Sequence, residues 1–384
     1  MTLQTRIIKP HDVLMLRGNK SFGDSGEHGT SSMPPSPSVL SGALRTFWLA
    51  EKNINLSDYT NKENPLKKEA MDEPLRSQLG TPSELGSFKL AECGLVRKTS
   101  NNYERLYPVP SDLVLQKANK TDDKVEIFAL QPHTLDEQLF GSHNGQLAIL
   151  QAPAGKPESG YWLTETGFND YLAGKKPQFA QLVKTSELWK SEWRLGIALD
   201  AHARTASDGQ LYTTEAIALK DNVFLSVSIT GAPDFPKTGT LRLGGDGHAA
   251  GFNTITLSSL PTISPKDKRI KLLLTSSAIF QKGSQLPSLE DKQDGRIYFE
   301  GGSAKVIAAS IPRHHVISGW DLAKWQPKPA ERVVPMGAVY WLDDIQYNGT
   351  SLQTALQNLL LDKLEPQRKA EGYNACVLAN WTTL

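Results

Sequence analysis

The stretch Leu241-Arg-Leu-Gly-Gly-Asp-Gly-His-Ala-Ala-Gly-Phe252 places a glycine-rich turn between two segments that are predicted to be strands. Glycine has no Cβ atom, so such a turn can adopt positive φ angles and can approach another backbone closely. Its consecutive amide groups can form a nest that binds an anion. Arg242 and His248 flank the turn and would add donors for phosphate oxygens. Taken alone, the motif fits a plain turn better than a binding loop.

The sequence on either side of this turn has the element order of a repeated fold. The first half is predicted to contain strands at Asp12–Leu16, Trp193–Leu199, Leu211–Leu219, Val223–Ile229, Gly239–Leu243 and Phe252–Leu257, a helix at Val39–Ala50 and a turn at Arg204–Gly209. The second half is predicted to contain strands at Ile270–Leu274, Lys305–Ile311, Val333–Leu342 and Ala375–Trp381, and a helix at Leu352–Leu361. Each half can be written βαββαβ, the order of a ferredoxin-like domain.

We therefore expect an α+β protein with two tandem ferredoxin-like (RRM-like) domains, at residues 1–260 and 261–384. The first domain would carry a long insertion at about residues 51–190, because that stretch has no steady periodicity. Strands are predicted within the insertion at Val125–Leu130 and Gln146–Gln151, and a helical patch near Gly167–Leu172. In a ferredoxin-like sheet one face packs on helices, and the other is left for a ligand.

The composition restricts the classes of protein to which the chain can belong. The 384 residues are 39% hydrophobic and 22% charged, which is typical of a globular chain. The two cysteines, Cys93 and Cys376, lie far apart and predict neither a disulfide framework nor a zinc site. The first 16 residues lack the long apolar segment of a signal peptide, and no run reaches the ~18 apolar residues of a membrane span. We expect a soluble cytoplasmic protein that does not bind membranes.

Net charge and local charge clusters do not by themselves reveal a nucleic-acid surface. The formal net charge is +1, so any cations that bind phosphate would have to be concentrated on one face. The densest basic cluster is Lys266-Asp-Lys-Arg-Ile-Lys271, which we interpret as a solvated turn before a strand. The segment Pro35–Arg45 is a second candidate anion site, with Ser36, Ser38 and Ser41 near a helix N-terminus. A simple capped helix explains that segment equally well.

Motifs for catalysis are weak. The sequence contains no Walker A loop, no Gly-x-Ser-x-Gly elbow and no His-Glu-x-x-His. The pair in Asp200-Ala-His202 would need further ligands to hold a metal ion, so we favour a polar pair at the end of a strand. The His314-His315 pair has no evident partner base, so a structural or RNA-contacting role is favoured over a general acid. We expect no catalytic residues, no metal ion and no cofactor.

Several blocks together resemble the repeat-associated mysterious protein (RAMP) superfamily, whose members build the crRNA-guided effector complexes of CRISPR immunity. The segment Pro37-Ser-Val-Leu-Ser-Gly-Ala-Leu-Arg45 is similar to their first helix, and the segment Leu241–Phe252 to their glycine-rich loop. Five further blocks, in family order, resemble the type III-B (Cmr) subunit of the group that binds the five-prime handle: Arg105–Leu113, Glu192–Asp200, Arg204–Tyr212, Ile317–Leu322 and Arg332–Tyr340.

This resemblance implies a non-catalytic subunit that holds the 5′ handle of the crRNA. Its implied partners are the large palm-domain subunit, the first backbone RAMP subunit and, indirectly, the target RNA. A β-hairpin thumb would lie in residues 88–150. RAMP proteins often carry a second Gly-aromatic-Gly near the C-terminus, where this chain has Gly372-Tyr373-Asn374. Asparagine tolerates positive φ, so the turn is expected to persist, but its role in RNA binding is in doubt.

Single-stranded RNA is bound by stacking on aromatic rings and by contacts to phosphate and 2′-hydroxyl groups. The predicted RNA-binding residues are Arg17, Lys20, Phe22, Ser36, Ser38, Arg45, Arg204, Arg242, Gly244, Gly245, Gly247, His248, Arg313 and Trp320. Tyr212 and Phe252 are further aromatic candidates. Two alternatives remain open: a RAMP endoribonuclease that processes CRISPR repeat RNA, using His28, His202, His248 or His314 as the acid, and a subunit that contacts only protein.

Overall fold

The computed structural model describes residues 3–16, 28–29, 33–61, 71–100, 102–117, 124–134, 146–199, 206–245, 247–289, 294–321 and 326–381. These residues are mostly strands with few helices, which confirms the α+β class. The chain divides into two compact units. Unit 1 comprises residues 1–103, 186–256 and 316–331, and unit 2 comprises residues 104–185, 257–315 and 332–384.

The strands are β1 (Gln4–Pro10), β2 (His28–Gly29), β3 (Lys89–Lys98), β4 (Tyr103–Pro108), β5 (Leu113–Lys117), β6 (Val125–Thr134), β7 (Gln146–Leu150), β8 (Pro157–Glu158), β9 (Tyr161–Thr164), β10 (Leu182–Lys184), β11 (Trp189–Leu199), β12 (Ala206–Leu219), β13 (Val223–Thr230), β14 (Thr238–Leu243), β15 (His248–Ile255), β16 (Ile270–Leu274), β17 (Arg296–Phe299), β18 (Gly302–Ser310), β19 (His315–Ile317), β20 (Trp320–Asp321), β21 (Gln326–Pro327), β22 (Glu331–Val333), β23 (Val339–Tyr347) and β24 (Cys376–Ala379).

The α-helices are α1 (Pro37–Glu51), α2 (Leu56–Tyr59), α3 (Glu165–Leu172), α4 (Leu352–Leu361) and α5 (Pro366–Glu371). Short helical turns of other types occur at Leu75–Leu79, Phe179–Gln181 and Thr185–Glu187. No helix of the described residues is long and apolar enough to cross a membrane.

The main sheet of unit 1 has the strand order β3-β13-β1-β15-β14, and its neighbouring strands are antiparallel. Strand β13 shows why one face is apolar, because Val223, Leu225, Val227 and Ile229 alternate with Phe224 and two serines. Successive side chains of a strand point to opposite faces, so the four aliphatic residues share one face. That face packs on α1.

Helix α1 begins at a proline and buries an apolar stripe against this sheet. Pro37 occupies the first turn, where its missing amide costs nothing. Phe47 packs edge-on against Phe252 of β15, with ring centroids 4.9 Å apart. Trp48 packs in the same way on Phe235, at 5.3 Å. The predicted helix Val39–Ala50 is confirmed, with one further turn divided between its ends.

Strands β11 and β12 form a long antiparallel ribbon within unit 1. The register runs from the pair Trp189 and Leu219 to the pair Ile197 and Leu211, a span of about 30 Å. Strand β2 adds to the β12 edge, where His28 lies opposite Thr213. The ribbon is anchored at its base by Leu14, which forms a bridge with Ile217.

The main sheet of unit 2 has the order β17-β18-β23-β16-β24. Its first strand, β16, lies between β23 and β24 and is antiparallel to both. Helix α4 packs its leucines into the core beside Leu272 and Leu378. Unit 2 also contains the strand groups β10-β9-β4 and β7-β6-β5-β8.

A second apolar cluster of unit 2 encloses a buried ion pair. Lys271 of β16 donates to Asp112 over 2.8 Å, and both side chains are 1% exposed. Tyr171 of α3 donates to the other carboxylate oxygen over 2.9 Å, and the Lys271 ammonium lies 4.0 Å from the Tyr171 ring centroid. Burial lowers the pKa of Lys271, although Asp112 opposes the shift. Burial and Asp112 raise the pKa of Tyr171.

In both units the core strands follow the order of a ferredoxin-like sheet. If the four motif strands are numbered along the chain, the order is 4-1-3-2: β15-β1-β13-β3 in unit 1, and β24-β16-β23-β18 in unit 2. Unit 1 supplies the helix after its first strand, and unit 2 supplies helices after its third. Within the described residues neither unit has both helices, so the two complete βαββαβ domains, like their boundaries at residue 260, stay a prediction.

Five predicted elements need correction. The predicted strand Val333–Leu342 is two strands, β22 and β23, separated by a turn at 336–337. The first strand is Gln4–Pro10, whereas Asp12–Leu16 contributes only the bridge at Leu14. Residues 206–209 of the predicted turn belong to β12. Strand β3, placed in the insertion by its lack of periodicity, pairs with β13 in the main sheet of unit 1. In the basic cluster, Lys266–Arg269 is a turn as expected, but Lys271 is buried rather than solvated.

Candidate nucleic-acid interface

The glycine-rich turn joins β14 to β15, as the sequence predicts, but two of its amides are already used. The Gly245 amide donates to the Met15 carbonyl over 2.7 Å, and the Gly247 amide donates to the Gly244 carbonyl over 3.3 Å. Asp246 lies outside the described residues. The two bonded amides therefore do not supply the open anion nest that the sequence suggested. Direct RNA contact by the turn stays a prediction.

Gly244 is required by the way this turn meets the chain beside it. Its φ angle is +90°, a conformation that side-chain-bearing residues rarely adopt. A Cβ atom there would lie 2.9 Å from the Met15 carbonyl oxygen. Gly247 also has a positive φ of 63°, and the Arg242 side chain passes 3.7 Å from where its Cβ would be. Gly244 therefore allows the turn to pack against Met15, and the missing side chain of Gly247 leaves space for the Arg242 side chain.

Strand β14 presents a polar stripe to solvent. Thr238, Thr240 and Arg242 are exposed, while Leu241 and Leu243 between and beyond them are buried against the α1 side. The alternation has a period of two, so the three polar side chains share the sheet face opposite α1. This stripe supplies two hydroxyl groups and one guanidinium.

The neighbouring strands extend this polar surface. Asn253 of β15 lies opposite Thr238 and is exposed, and Gly251 lies opposite Thr240. His11 continues the β1 ladder, because its amide donates to the Ala249 carbonyl over 3.0 Å. Its exposed imidazole lies 3.5 Å from where a Gly251 Cβ would be. We call this surface the open face: Thr238, Thr240, Arg242, Asn253 and His11.

An acidic residue next to the open face joins the hairpin to the ribbon. The two oxygens of the Asp12 carboxylate face different partners: one lies 3.6 Å from Nδ1 of His248, and the other 3.8 Å from the guanidinium of Arg194 on β11. Both distances exceed a good hydrogen bond, so these are electrostatic contacts between half-exposed groups. They place His248 on the ribbon side of the turn.

Some residues of the predicted anion site at the α1 N-terminus make contacts within the protein. The hydroxyls of Ser36 and Ser38 lie 3.0 Å apart, and the Ser36 side chain does not cap a helix amide. Arg45 donates to the carbonyl of Phe88 over 3.2 Å, and its guanidinium lies 4.9 Å from the Phe88 ring centroid. Arg45 therefore ties α1 to the segment before β3. An additional RNA contact by any of these residues stays a prediction.

Of the aromatic candidates, Phe252 is buried, and the side chains of the others are not among those that the structure describes. Phe252 is 1% exposed and packs on Phe47, so it cannot stack on a base, and that prediction is wrong. The side chains of Trp320 and Tyr212 are not described, although both residues lie in strands. Arg17, Lys20, Phe22 and Arg204 fall outside the described residues, as do Asp200 and His202.

The remaining candidates lie in unit 2. Arg313 and the two histidines after it are exposed. Desolvation and the neighbouring His314 lower the pKa of His315, which keeps its imidazole neutral at pH 7. Because little of the His315 imidazole is protonated at pH 7, His315 is poorly suited to donate a proton as a general acid. No group of three or more metal-ligating side chains occurs within the residues that the structure describes.

Sequence reasoning missed several residues of the open face. Thr240 and Asn253 were not selected, although the alternation Thr238, Thr240, Arg242 is visible in the sequence as a period of two. His11, Asp12 and Arg194 carry no such signal. They meet the hairpin only through the register of β1 with β15 and the bridge from Leu14 to β12.

Comparisons with known proteins identify the family of the chain. A family model described as CRISPR-associated protein (Cas_Cmr3) matches residues 6–381, and the chain belongs to that family. It is a RAMP-type subunit of a type III-B (Cmr) complex, which confirms the resemblance noted in the sequence. No curated protein matches it.

Solved structures that resemble the chain are distant in sequence. One is a cryo-EM structure of the type III-B Cmr-beta complex bound to cognate target RNA and AMPPnP, with 15% identity, a TM-score of 0.49, and coverage of 97% of this chain and 96% of that chain. Another is the Csm3-Csm4 subcomplex of the type III-A interference complex, with 15% identity, a TM-score of 0.35, and coverage of 90% and 94%.

Proposed function

We propose that this chain is a non-catalytic subunit that binds the 5′ handle of the crRNA through the open face. The observation that carries the proposal is the exposed stripe of Thr238, Thr240 and Arg242 beside the glycine-rich turn. The proposal also rests on membership of the Cas_Cmr3 family and on the resemblance to handle-binding RAMP subunits.

The chemistry of the open face suits single-stranded RNA. A guanidinium binds phosphate, hydroxyl and amide groups bind 2′-hydroxyls and base edges, and an exposed imidazole offers a surface for stacking. Gly251 and Ala249 carry little or no side chain beneath these groups, which lets a ribose approach the sheet. The same sheet is apolar on the α1 side, and its packing on α1 supports the strands that hold these groups.

Arg242→Ala tests the proposal directly. The Kd of the full-length chain for a labelled handle RNA should rise about tenfold, because one guanidinium–phosphate contact is lost. The slope of log Kd against log salt should fall by about 0.7, the value for one phosphate of a single strand. Arg332→Ala is the control, since Arg332 is exposed on β22 of unit 2 and should change neither quantity.

A scrambled handle of equal length separates handle binding from general RNA binding. If Arg242→Ala weakens both RNAs equally, the open face contacts backbone but does not recognise the handle. If affinity and salt slope stay at the parent values, the open face is not the RNA interface. Melting temperatures of both variants should match the parent chain, because both arginines are exposed.

The subunit is also proposed to join the large palm-domain subunit to the first backbone RAMP subunit. This part rests on the resemblance, as does a thumb hairpin in residues 88–150. Strands β6 and β7 form a hairpin within that range, with Leu130 opposite Leu150 and the pairing running to Thr134 and Gln146. Crosslinking of the assembled complex to 4-thiouridine in the handle tests the thumb: no adduct within residues 124–150 would exclude this hairpin.

RNA cleavage is the second candidate function, and one contact favours it. Asp12 lies 3.6 Å from Nδ1 of His248 and could orient that imidazole as a general acid or base. Incubating the chain with labelled repeat RNA in EDTA distinguishes the two functions. We expect no specific product. A product that disappears with His248→Ala and persists with His314→Ala would replace the scaffold proposal by a ribonuclease.

A further inference from the structure

The connection between β23 and α4 in unit 2 contains the dipeptide Asn348-Gly349. Strand β23 ends at Tyr347 and helix α4 begins at Leu352, so residues 348–351 join the two elements. All four of these residues are exposed. Glycine has no Cβ atom, so its amide nitrogen can approach the side chain of the residue before it without steric hindrance. The connection therefore places an asparagine side chain within reach of an unhindered backbone amide.

Hydrogen bonds hold the backbone before this pair but not the groups that would react. The Asn348 amide donates to the Gly301 carbonyl over 3.0 Å, which continues the pairing of β23 with β18. Among the residues that the structure describes, neither the Gly349 amide nor the Asn348 carboxamide has a hydrogen-bond partner. The amide nitrogen and the side-chain carbonyl carbon are therefore adjacent, in contact with water and not restrained by other groups.

The fold itself requires glycine at position 349. The Tyr347 hydroxyl accepts a hydrogen bond from the Ser351 amide over 2.9 Å, so the Tyr347 side chain lies across the connection. The Tyr347 ring also packs on Phe299, with ring centroids 6.0 Å apart. A Cβ atom at Gly349 would overlap the Tyr347 ring. The glycine that lets the connection close around Tyr347 is thus the same residue that leaves Asn348 without steric protection.

We infer that Asn348 is a site of spontaneous deamidation. The Gly349 amide nitrogen loses its proton to hydroxide and attacks the carbonyl carbon of the Asn348 side chain. A carbon–nitrogen bond forms, and the side-chain nitrogen takes up a proton and leaves as ammonia. Water then opens the cyclic imide at one of its two carbonyl carbons. The products carry an aspartyl or an isoaspartyl residue at position 348, and water is the only co-reactant.

The two products differ in their effect on α4. An aspartyl carboxylate at position 348 precedes the N-terminus of the helix, where negative charge is favourable. An isoaspartyl residue instead lengthens the backbone by a methylene group inside the segment that the Tyr347–Ser351 hydrogen bond closes. We expect that bond to break and Ser351, the N-cap that accepts from the Thr354 amide over 3.2 Å, to be displaced. Only the isoaspartyl product should therefore weaken unit 2.

Peptide mapping of the full-length chain after incubation at pH 8 in water enriched in heavy oxygen tests the site. The peptide that contains Asn348 should gain heavy oxygen at least about tenfold faster than the peptide that contains Asn374, because the buried Asn374 reacts only when the chain opens. Asn348→Gln is the matched control and should remain unlabelled over the same period, since its longer side chain must close a larger ring. The other Asn-Gly pair of the chain, Asn144-Gly145, lies outside the described residues and falls in a separate peptide.

Melting of the separated products tests the effect on α4. The isoaspartyl form should melt below the parent chain, whereas Asn348→Asp should melt within about 2 °C of it, because this substitution adds the charge without lengthening the backbone. Labelling of Asn348 no faster than that of Asn374 would overturn the inference. An isoaspartyl form that melts with the parent chain would overturn its effect on α4. Neither measurement contains RNA, so failure of the Arg242→Ala experiment would leave this inference standing.

Discussion

The loops that precede the closing strands of the two units occupy the same place in the strand order and use their polar groups differently. In unit 1 the loop precedes β15, and Arg242 beside it is exposed. In unit 2 the loop Gly372-Tyr373-Asn374 precedes β24, and Asn374 is 1% exposed. Asn374 has a φ of +59° and binds the chain at Ile279 and Leu360, so the predicted turn persists as part of the core.

This difference distinguishes a loop that is part of the core from a loop whose polar groups can bind a ligand. Tyr373 is also 1% exposed, and the Arg368 guanidinium lies 5.3 Å from its ring centroid. A nucleic acid cannot reach these groups without unfolding them. The unit 2 loop uses the polar groups of Asn374 to hold neighbouring segments together, whereas Arg242 beside the unit 1 loop lies on the open face. Four substitutions test this comparison, from the largest expected effect to the smallest.

Asp112→Ala should destabilise unit 2 by about 3–5 kcal/mol, because it leaves the buried Lys271 ammonium without its carboxylate. Tyr171 would lose its acceptor as well. The readout is alkylation of one cysteine in each unit at pH 8. Burial raises the pKa of Cys93 in unit 1 and of Cys376 in unit 2 to about 12, so both thiols are protonated at pH 8 and should react slowly in the folded chain.

The variant should therefore accelerate labelling of Cys376 while Cys93 keeps its parent rate. Asp112→Leu combined with Lys271→Met and Tyr171→Phe is the control, since replacing both charges and the hydroxyl that depends on them by apolar groups is often neutral or stabilising. Equal acceleration at both cysteines would show that the two units open together, which would break the comparison.

Asn374→Ala should cost unit 2 about 2–3 kcal/mol. The side chain donates to the Leu360 and Ile279 carbonyls over 2.7 and 3.2 Å and accepts from the Ile279 amide over 2.7 Å. Truncation leaves these buried groups unsatisfied and puts alanine at a positive φ. Asn374→Gly isolates the hydrogen bonds, because glycine relieves the backbone strain. Handle RNA affinity, measured well below the melting temperature, should be unchanged in both variants.

The sequence predicts the elements of this fold better than their polar contacts. Ile270–Leu274 and Leu352–Leu361 match the structure residue for residue, since both are strongly apolar with clear periodicity. Strand β1 was missed because Arg6 and Lys9 interrupt it. Both side chains bond to backbone carbonyls from distant loops, Arg6 at Pro236 and Lys9 at Lys220. Such pairing depends on tertiary structure, which no local pattern reports.

The same limit applies to the candidate site: its local features were predicted from the sequence, and its contacts between elements were not. The turn and Arg242 were found from glycine content and charge, which are local properties. The burial of Phe252 and the anchoring of Arg45 were not found, because each depends on a partner from another element. The contact of Asp12 with His248 requires the register of β1 on β15, so it too was beyond the sequence.

Gly244→Ala should destabilise unit 1 by about 1–2 kcal/mol, because its Cβ would lie 2.9 Å from the Met15 carbonyl at a φ of +90°. The hairpin must shift, so the Kd for handle RNA should rise a few-fold. Gly42→Ala in α1 is the control: no atom lies within 4 Å of its added Cβ, and the change should be neutral or slightly stabilising. Chemical denaturation and RNA titration of both variants give the two quantities.

Thr240→Val should have the smallest effect and gives the sharpest test of which sheet face binds RNA. Valine keeps the shape and the strand preference of threonine, so stability should be unchanged at this exposed position. Loss of one hydroxyl that contacts a phosphate or 2′-hydroxyl should raise the Kd about two- to fivefold, or ~0.5–1 kcal/mol.

Thr254→Val is the matched control. Thr254 lies on the same hairpin but on the α1 side, where its hydroxyl donates to the Lys237 carbonyl over 2.9 Å. It should lower stability slightly and leave the Kd unchanged. The reverse pattern would assign RNA to the α1 side and remove the open face from the interface.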